Sequence, residues 1–423
     1  MTATDSHDRP TLRPSPVPGD EVGWVATHLA AVVRGPVRAS GSHRGTQRAA
    51  DAALAQLDLH GYARQRNEVA PRHRRGATGL SPWIRHGLLP LPRVWAAARG
   101  PYDDVSKFRD ELLWQEYARH LYARLGSRLG EPLRARPAQM AAHGAAWDRS
   151  MACIDSVLDE LHTDGWIVNQ TRMWLASHWC VRSGGDWRDG EDEFFAHLLD
   201  GSRAANRTGW QWTAGLGTGR VYGFSRAQVE RRAPGMCAGC AHRDQCPIQE
   251  WPNDPPLETV NDDPRLRHDP DPEITAGPAV VQHADTPDAV WLTAESLGDD
   301  DPALTAHPDL PVVFVFDEPL LARLRLAGPR LVFLTERLAE LAASRPTEVH
   351  VGDPVVALSG RRATTTFAPV PGWRRLSRTI APVEVHPWPW LRRPTTGSLR
   401  SFSAWRDADG RRSAPPRARG RRS

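Results

Sequence analysis

Lysine is almost missing from this chain: of its 54 basic residues, only Lys107 is not an arginine. A GC-rich coding sequence accounts for that bias, so arginine content alone identifies no partner. No run of about 20 apolar residues is present, which excludes a membrane-spanning helix. The opening Met1–Pro10 lacks the apolar stretch of a secretion signal, and a cytoplasmic location is expected. Cysteine is scarce too, five in 423 residues, too few for a disulfide framework. Phenylalanine (9) and tyrosine (5) are together outnumbered by tryptophan (17), so the indoles call for a role beyond ordinary packing.

The chain is long enough for two or three domains. Formal charge is about −1 over residues 1–20, +6 over 21–250, −7 over 251–410 and +6 over 411–423. The basic body suits a polyanion such as DNA. Residues 1–20 are Pro-rich and read as disordered. Apolar residues at three- and four-residue spacing predict helices over 47–57, 107–124, 155–161 and 166–180, giving an all-helical domain over 21–250. Residues 251–287 are acidic and rich in proline, which predicts an extended linker. Short apolar runs at 289–294, 310–316, 347–351 and 382–386, with a helical pattern over 329–344, predict an α/β domain over 288–406. A basic disordered tail is expected over 407–423.

The densest cluster of informative residues is Gly165–Trp212. It reads GWIVNQTRM (165–173), DWRDGEDEFFAHLLDG (186–201) and SRAANRTGWQW (202–212). Upstream stand Ala77-Thr-Gly-Leu-Ser-Pro82 and Glu111-Leu-Leu-Trp-Gln-Glu116. Ser81 before Pro82 reads as a helix N-cap whose free N–H groups face a diphosphate. Asn169, Arg172 and Met173 fall on one helical face with Trp166. Taken in order, these segments resemble the flavin-binding core of the DNA photolyase and cryptochrome family. The implied fold is a helical FAD-binding domain followed by a small Rossmann-like α/β domain similar to the family's antenna domain. In the family that domain precedes the helical one; here it follows.

The resemblance assigns Tyr62, Thr78, Leu80, Ser81, Arg172, Asp200, Ser202 and Asn206 to FAD, with Arg172 pairing Asp200 and Asn206 opposite the flavin N5. It assigns Glu111, Trp114, Asn169, Met173 and Trp212 to the substrate bases. Gln115 and Gln170 stand where relatives carry arginine, and Ser202 where an aspartate is common. Trp187 and Trp210 match two members of an electron-hopping chain; Trp147, Trp174 and Trp179 are candidates for its outer member.

Cys237-x-x-Cys240 and Cys246-Pro247 offer three thiolates within ten residues, a spacing that suits zinc or an iron–sulfur cluster. By resemblance to the iron–sulfur branch of bacterial photolyases, Cys153 is the fourth ligand of a 4Fe-4S cluster, with Cys180 spare. Zinc on the three cysteines with His242 or Cys153 is the rival, and three unligated thiols the remaining alternative. The implied activity is that of a deoxyribodipyrimidine photo-lyase, a DNA-repair lyase using reduced FAD on UV-damaged DNA, with the protein acting as a monomer. A cryptochrome-type blue-light photoreceptor with a signalling partner is the competing class.

Overall fold

The computed structural model describes residues 10–137, 146–253 and 256–410; the first nine residues and the tail 411–423 lie outside them. It combines a helical body with an α/β unit built on a parallel-rich sheet. The chain starts in the sheet. Strand β1 (Thr11–Arg13) pairs antiparallel with the strand Thr347–Gly352, Thr11 opposite Val351, so residues 10–20 are ordered, contrary to expectation. Pro10 and Pro14 bracket it, as edge strands allow, and the Pro14 carbonyl accepts from the Trp24 indole at 2.7 Å. Helix α1 (Glu21–His28) packs on the same unit through Trp24 and Val25, Trp24 lying against Phe316.

The helical body includes α2 (Ser81–Arg85), α3 (Tyr102–Leu125), α4 (Ala152–Asp164), α5 (Asn169–Ser177), α6 (Trp187–His197) and α7 (Arg203–Thr213). Helix α5 starts three residues later than its periodicity predicts, leaving Trp166 in the preceding loop, and ends in a π turn over His178–Arg182. The stretch 251–287 is not extended. Leu266 is buried, and Asp269 pairs with buried Arg124 of α3 at 3.0 Å. Low apolar content made the stretch read as a linker; one buried ion pair and a ready-made helical surface hold it down.

The sheet continues with β2 (Gln282–His283), β3 (Ala289–Leu292), β4 (Val312–Asp317), β5 (Thr347–Gly352), β6 (Ala363–Thr366) and β7 (Glu384–His386). Its order is β1-β5-β4-β3-β6-β7-β2; the five central strands are parallel and both edges antiparallel. Alternation along the strands serves two cores. Val290, Leu292, Val312 and Phe314 face helix α8 (Gly328–Ala342) and the helical body, while Trp291, Val313 and Ala363 face Phe367, Trp373 and Trp388.

The two units dock through α8. Arg330 is buried there and donates to the backbone carbonyls of Phe195 and Gly201, the latter at 2.6 Å. A Cβ on Gly201 would meet Arg330 at 2.4 Å, so glycine is required at that spot. Helix α9 (Phe402–Gly410) then returns to the helical body and packs on α3, so residues 407–410 close a helix where a disordered tail was expected.

Candidate flavin and substrate site

Arg172 on α5 reaches Asp200 through two parallel bonds of 3.1 and 2.8 Å, and its Nε donates to the Ile167 carbonyl at 3.0 Å. Burial raises the Asp200 pKa, but the Arg172 charge, its hydrogen bonds and the Ser81 hydroxyl outweigh that and hold the carboxyl below its usual range. Ser81 does not cap α2: the cap position is Leu80, and no side chain caps there. The hydroxyl instead accepts from the Trp166 indole at 3.0 Å and serves Asp200, because α2 begins one residue early. Leu80 and Tyr62 are buried, Tyr62 edge-on to Phe108, and Thr78 is half-buried. Ser202 opens α7 without capping it, and α7 packs on α5. One turn into α7, Asn206 is buried with its side-chain Nδ2 lacking any partner. A buried, unpaired amide donor is costly, so one that persists fits a ligand acceptor. The donor stands on α7, which packs on α5, the helix that carries Arg172.

Two residues of this neighbourhood escaped sequence reasoning. His43 packs against Trp83 and Trp166, its Nε2 3.0 Å from the Gly79 carbonyl; burial lowers its pKa, and Asp200 is among the charges it feels. Arg330 holds Gly201 from the other unit. Neither lies in a recurring motif, so only the fold could reveal them.

Of the residues expected at a substrate, Asn169 is exposed, Met173 half-buried and Trp212 39% exposed, tilted against Tyr222 at 5.5 Å. Gln170 donates to the Tyr222 hydroxyl at 2.8 Å. Glu111 is tied to Arg66 at 3.3 Å and Lys107 at 2.8 Å. Trp114 is half-buried, and Phe402 of α9 stacks on one of its faces with ring centres 3.9 Å apart and planes 11° from parallel.

Trp210 and Trp187 are both buried. Gly190 of α6 lets Trp210 approach Trp179: a Cβ built there lies 2.2 Å from one indole and 3.1 Å from the other. Their nearest edges are therefore within about 5.3 Å. Trp179 in turn meets half-buried Trp147, ring centres 4.8 Å apart. Trp147 borders a cleft shared with Arg34, Arg38 and Arg149. Trp174 turns the other way, stacking on Phe224.

Residues 108–232 match the family model for the FAD binding domain of DNA photolyase. Over this segment the helical body is similar to the FAD-binding domain of the photolyase family. A deoxyribodipyrimidine photo-lyase of Synechococcus is 30% identical over 189 residues, covering 39% of this chain and 38% of the relative. One from Thermus thermophilus is 32% identical over 174 residues, covering 39% and 41%. The chain thus spans about two-fifths of the length of these relatives. Among solved structures, a bacterial class III photolyase from Agrobacterium tumefaciens is 28% identical, covering 40% of this chain and 38% of that one, with a TM-score of 0.34.

Cys153, within the family-matched segment, and Cys237, Cys240 and Cys246, beyond it, line one pocket together with Arg226, His242 and Arg243. Burial first, and then the three neighbouring thiols, push the Cys153 thiol up to about 12. The Ala152 N–H points at Cys240 Sγ, 3.5 Å away. His242 is engaged by Ser150 at 2.7 Å, and Cys180 sits in the π turn outside this pocket. Among the described residues, the only three donor atoms of His, Cys, Asp or Glu gathered within 4.8 Å are those of His307, Glu384 and His386. The four sulfurs are therefore spread more widely than a zinc ion, with sulfurs at about 2.3 Å, would hold them. No described helix is long and apolar enough to cross a membrane.

Proposed function

We propose that this chain is a light-driven flavoprotein of the pyrimidine-dimer photolyase type, acting on UV-damaged DNA. The observation that carries the reading is the buried, unpartnered Asn206 amide on the helix that follows the Arg172–Asp200 pair. Arg172, Asp200, Ser202 and Asn206 would hold the cofactor, with Tyr62, Thr78, Leu80 and Ser81 along its length. When bound, reduced FAD supplies the light absorption and the electron that opens a cyclobutane dimer. The protein's part is to bind, orient and exclude water. The partly exposed Trp212 offers a stacking face to a flipped base, with Asn169 and Met173 beside it. The positive charge of residues 21–250 draws in the phosphate backbone. Two assays test this: the flavin spectrum of the purified protein, and repair of a thymine-dimer oligonucleotide by reduced protein under blue light. Flavin binding without repair would leave the photoreceptor reading.

That second reading has its own support in the Phe402–Trp114 stack, which covers a base-holding indole with the helix at the end of the described chain. Phe402→Ala separates the two: if the stack masks a substrate face, the variant binds dimer-containing DNA more tightly than the parent. Unchanged affinity would leave Trp114 a packing residue.

The pocket of Cys153, Cys237, Cys240 and Cys246 supports a 4Fe-4S cluster over zinc, because four thiols facing one another at more than zinc-site spacing suit a larger group. Such a cluster would tie α4 to the segment after α7 and act structurally. Metal analysis checks it: about four irons per chain, lost together in Cys153→Ser and Cys240→Ser. One zinc per chain overturns it.

A further inference from the structure

At the far edge of the sheet from β1, Glu384 on β7 is ringed by imidazoles. Its Oε1 lies 2.5 Å from His307 Nε2, 2.7 Å from His386 Nε2 and 2.9 Å from Thr364 Oγ1, and its Oε2 lies 2.9 Å from His283 Nδ1. The topology builds this convergence from four segments. Glu384 and His386 are two apart on one strand and share a face. Thr364 stands opposite Glu384 on β6, His283 opposite it on β2, and His307 directly follows the short helix Pro302–Ala306. Glu384 and His386 are buried, His307 is partly buried and His283 faces solvent.

As a hydrogen-bond hub alone the arrangement is poorly matched. Three donors meet on Oε1, which has two lone pairs to offer. The ion-pair partners of this buried carboxylate, among the described residues, are imidazoles; no arginine or lysine joins them. A carboxylate oxygen with two imidazole nitrogens inside 4.8 Å is a donor set for a borderline transition-metal ion.

We propose that His307, Glu384 and His386 bind one divalent transition-metal ion, zinc by preference, with solvent-facing His283 as the fourth ligand and the entry side. Ligands at about 2.0–2.1 Å from zinc stand about 3.3 Å apart in a tetrahedron. The present nitrogen–oxygen separations need to open by less than about 1 Å, which the partly exposed His307 can supply. The ion would clip the edge strand β2 and the loop at His307 onto β7, closing an edge that is otherwise two residues long. The site is in the α/β unit and is independent of flavin binding.

The test is a cobalt titration of the full chain after chelator treatment, because Co²⁺ on imidazole and carboxylate lacks the thiolate charge-transfer absorption that the cysteine pocket would give. One equivalent of thiolate-free cobalt is expected, competed by zinc, with at least a tenfold loss of affinity in His307→Ala and a larger loss in His283→Ala/His307→Ala. Both side chains reach solvent, so these variants should fold; their circular dichroism and melting curves check that. X-ray absorption on the zinc-loaded Cys153→Ser/Cys240→Ser variant gives a second reading, with a nitrogen and oxygen shell expected. No thiolate-free cobalt, equal titrations in parent and His307→Ala, or a zinc shell of sulfur only would each overturn the proposal.

Discussion

Removing Arg172 should expose how Asp200 is kept ionised in a buried site. Arg172 is 21% exposed and Asp200 6% at the side chain, so the two partners are unequal. In Arg172→Ala the carboxylate keeps the Ser81 hydroxyl but loses two charge-assisted bonds and its contacting cation. Leaving one member of a buried pair uncompensated costs about 3–5 kcal/mol. Asp200→Asn should cost less, because the freed guanidinium can turn to water and keeps its bond to the Ile167 carbonyl. The pH dependence follows from the depressed Asp200 pKa. The parent's stabilisation is fully present above the unfolded value of about 3.9 and is lost as pH falls through the lower folded value. In the variant, burial without Arg172 raises the carboxyl pKa, and that penalty disappears once both states are protonated. The gap between the two proteins should therefore be widest near neutrality and close in strong acid. Urea denaturation at pH 7 and at stepwise lower pH measures it. A deficit under about 1 kcal/mol at pH 7, or one that grows with acid, would refute the reasoning.

Asn206→Leu removes a buried donor without a partner, so the flavin-free protein should be no less stable, while FAD affinity measured by fluorescence falls; lost stability with unchanged affinity would mean the amide is satisfied within the protein. For photoreduction, Trp147→Phe should slow the rate more than Trp187→Phe, since the indoles seen in contact beyond Trp210 are Trp179 and Trp147. Stopped-flow absorbance under blue light decides between them, and equal rates would show that neither indole is the exit.

Four helices of the body and four of the seven main-sheet strands were legible because apolar periodicity is a local signal; Trp187–His197 and Arg203–Thr213 were not read as helices from periodicity. The α3 helix was recognised short by five residues at its start, where Tyr102–Ser106 carries mostly polar residues. Strand β6 went unread: Ala363-Thr-Thr-Thr366 has no alternation, since each of its residues is buried and three are threonines satisfied by tertiary contacts. Strand β1 was unreadable for a different reason. It has one apolar residue, Leu12, which is exposed, and it is a strand only because β5 offers it an open edge. The Arg172–Asp200 pair was implied by the family resemblance, because both residues lie in the segments that carry it. The Phe402–Trp114 stack could not, because 288 positions separate the two rings and neither carries a local sign of the other.

The chain begins in the sheet, builds the helical body, returns to finish the sheet and places its last described helix back on the body. Two units interleaved in this way share a boundary that bears on the candidate site, and Arg330 is the residue through which it does so. Its guanidinium lies 4.4 Å over the Phe195 ring and bonds the carbonyls of Phe195 and Gly201, on either side of Asp200 in sequence. Burial lowers its pKa to about 9, with nearby Arg85 adding to the effect and Asp200 opposing it. Arg330→Met keeps the length and apolar stem but leaves the Phe195 carbonyl without this donor and the Gly201 carbonyl with Arg85 alone, 2.9 Å away. Losing bonds from a charged donor costs about 1.5–3 kcal/mol each, offset in part because a buried cation is also removed. The expected outcome is a modest fall in the urea midpoint together with a faster flavin off-rate, since the loop holding Asp200 and Ser202 loses its brace. Flavin dissociation at the parent rate, with Asp200→Asn accelerating it in the same assay, would show that the sheet unit supports the body's stability without reaching its site.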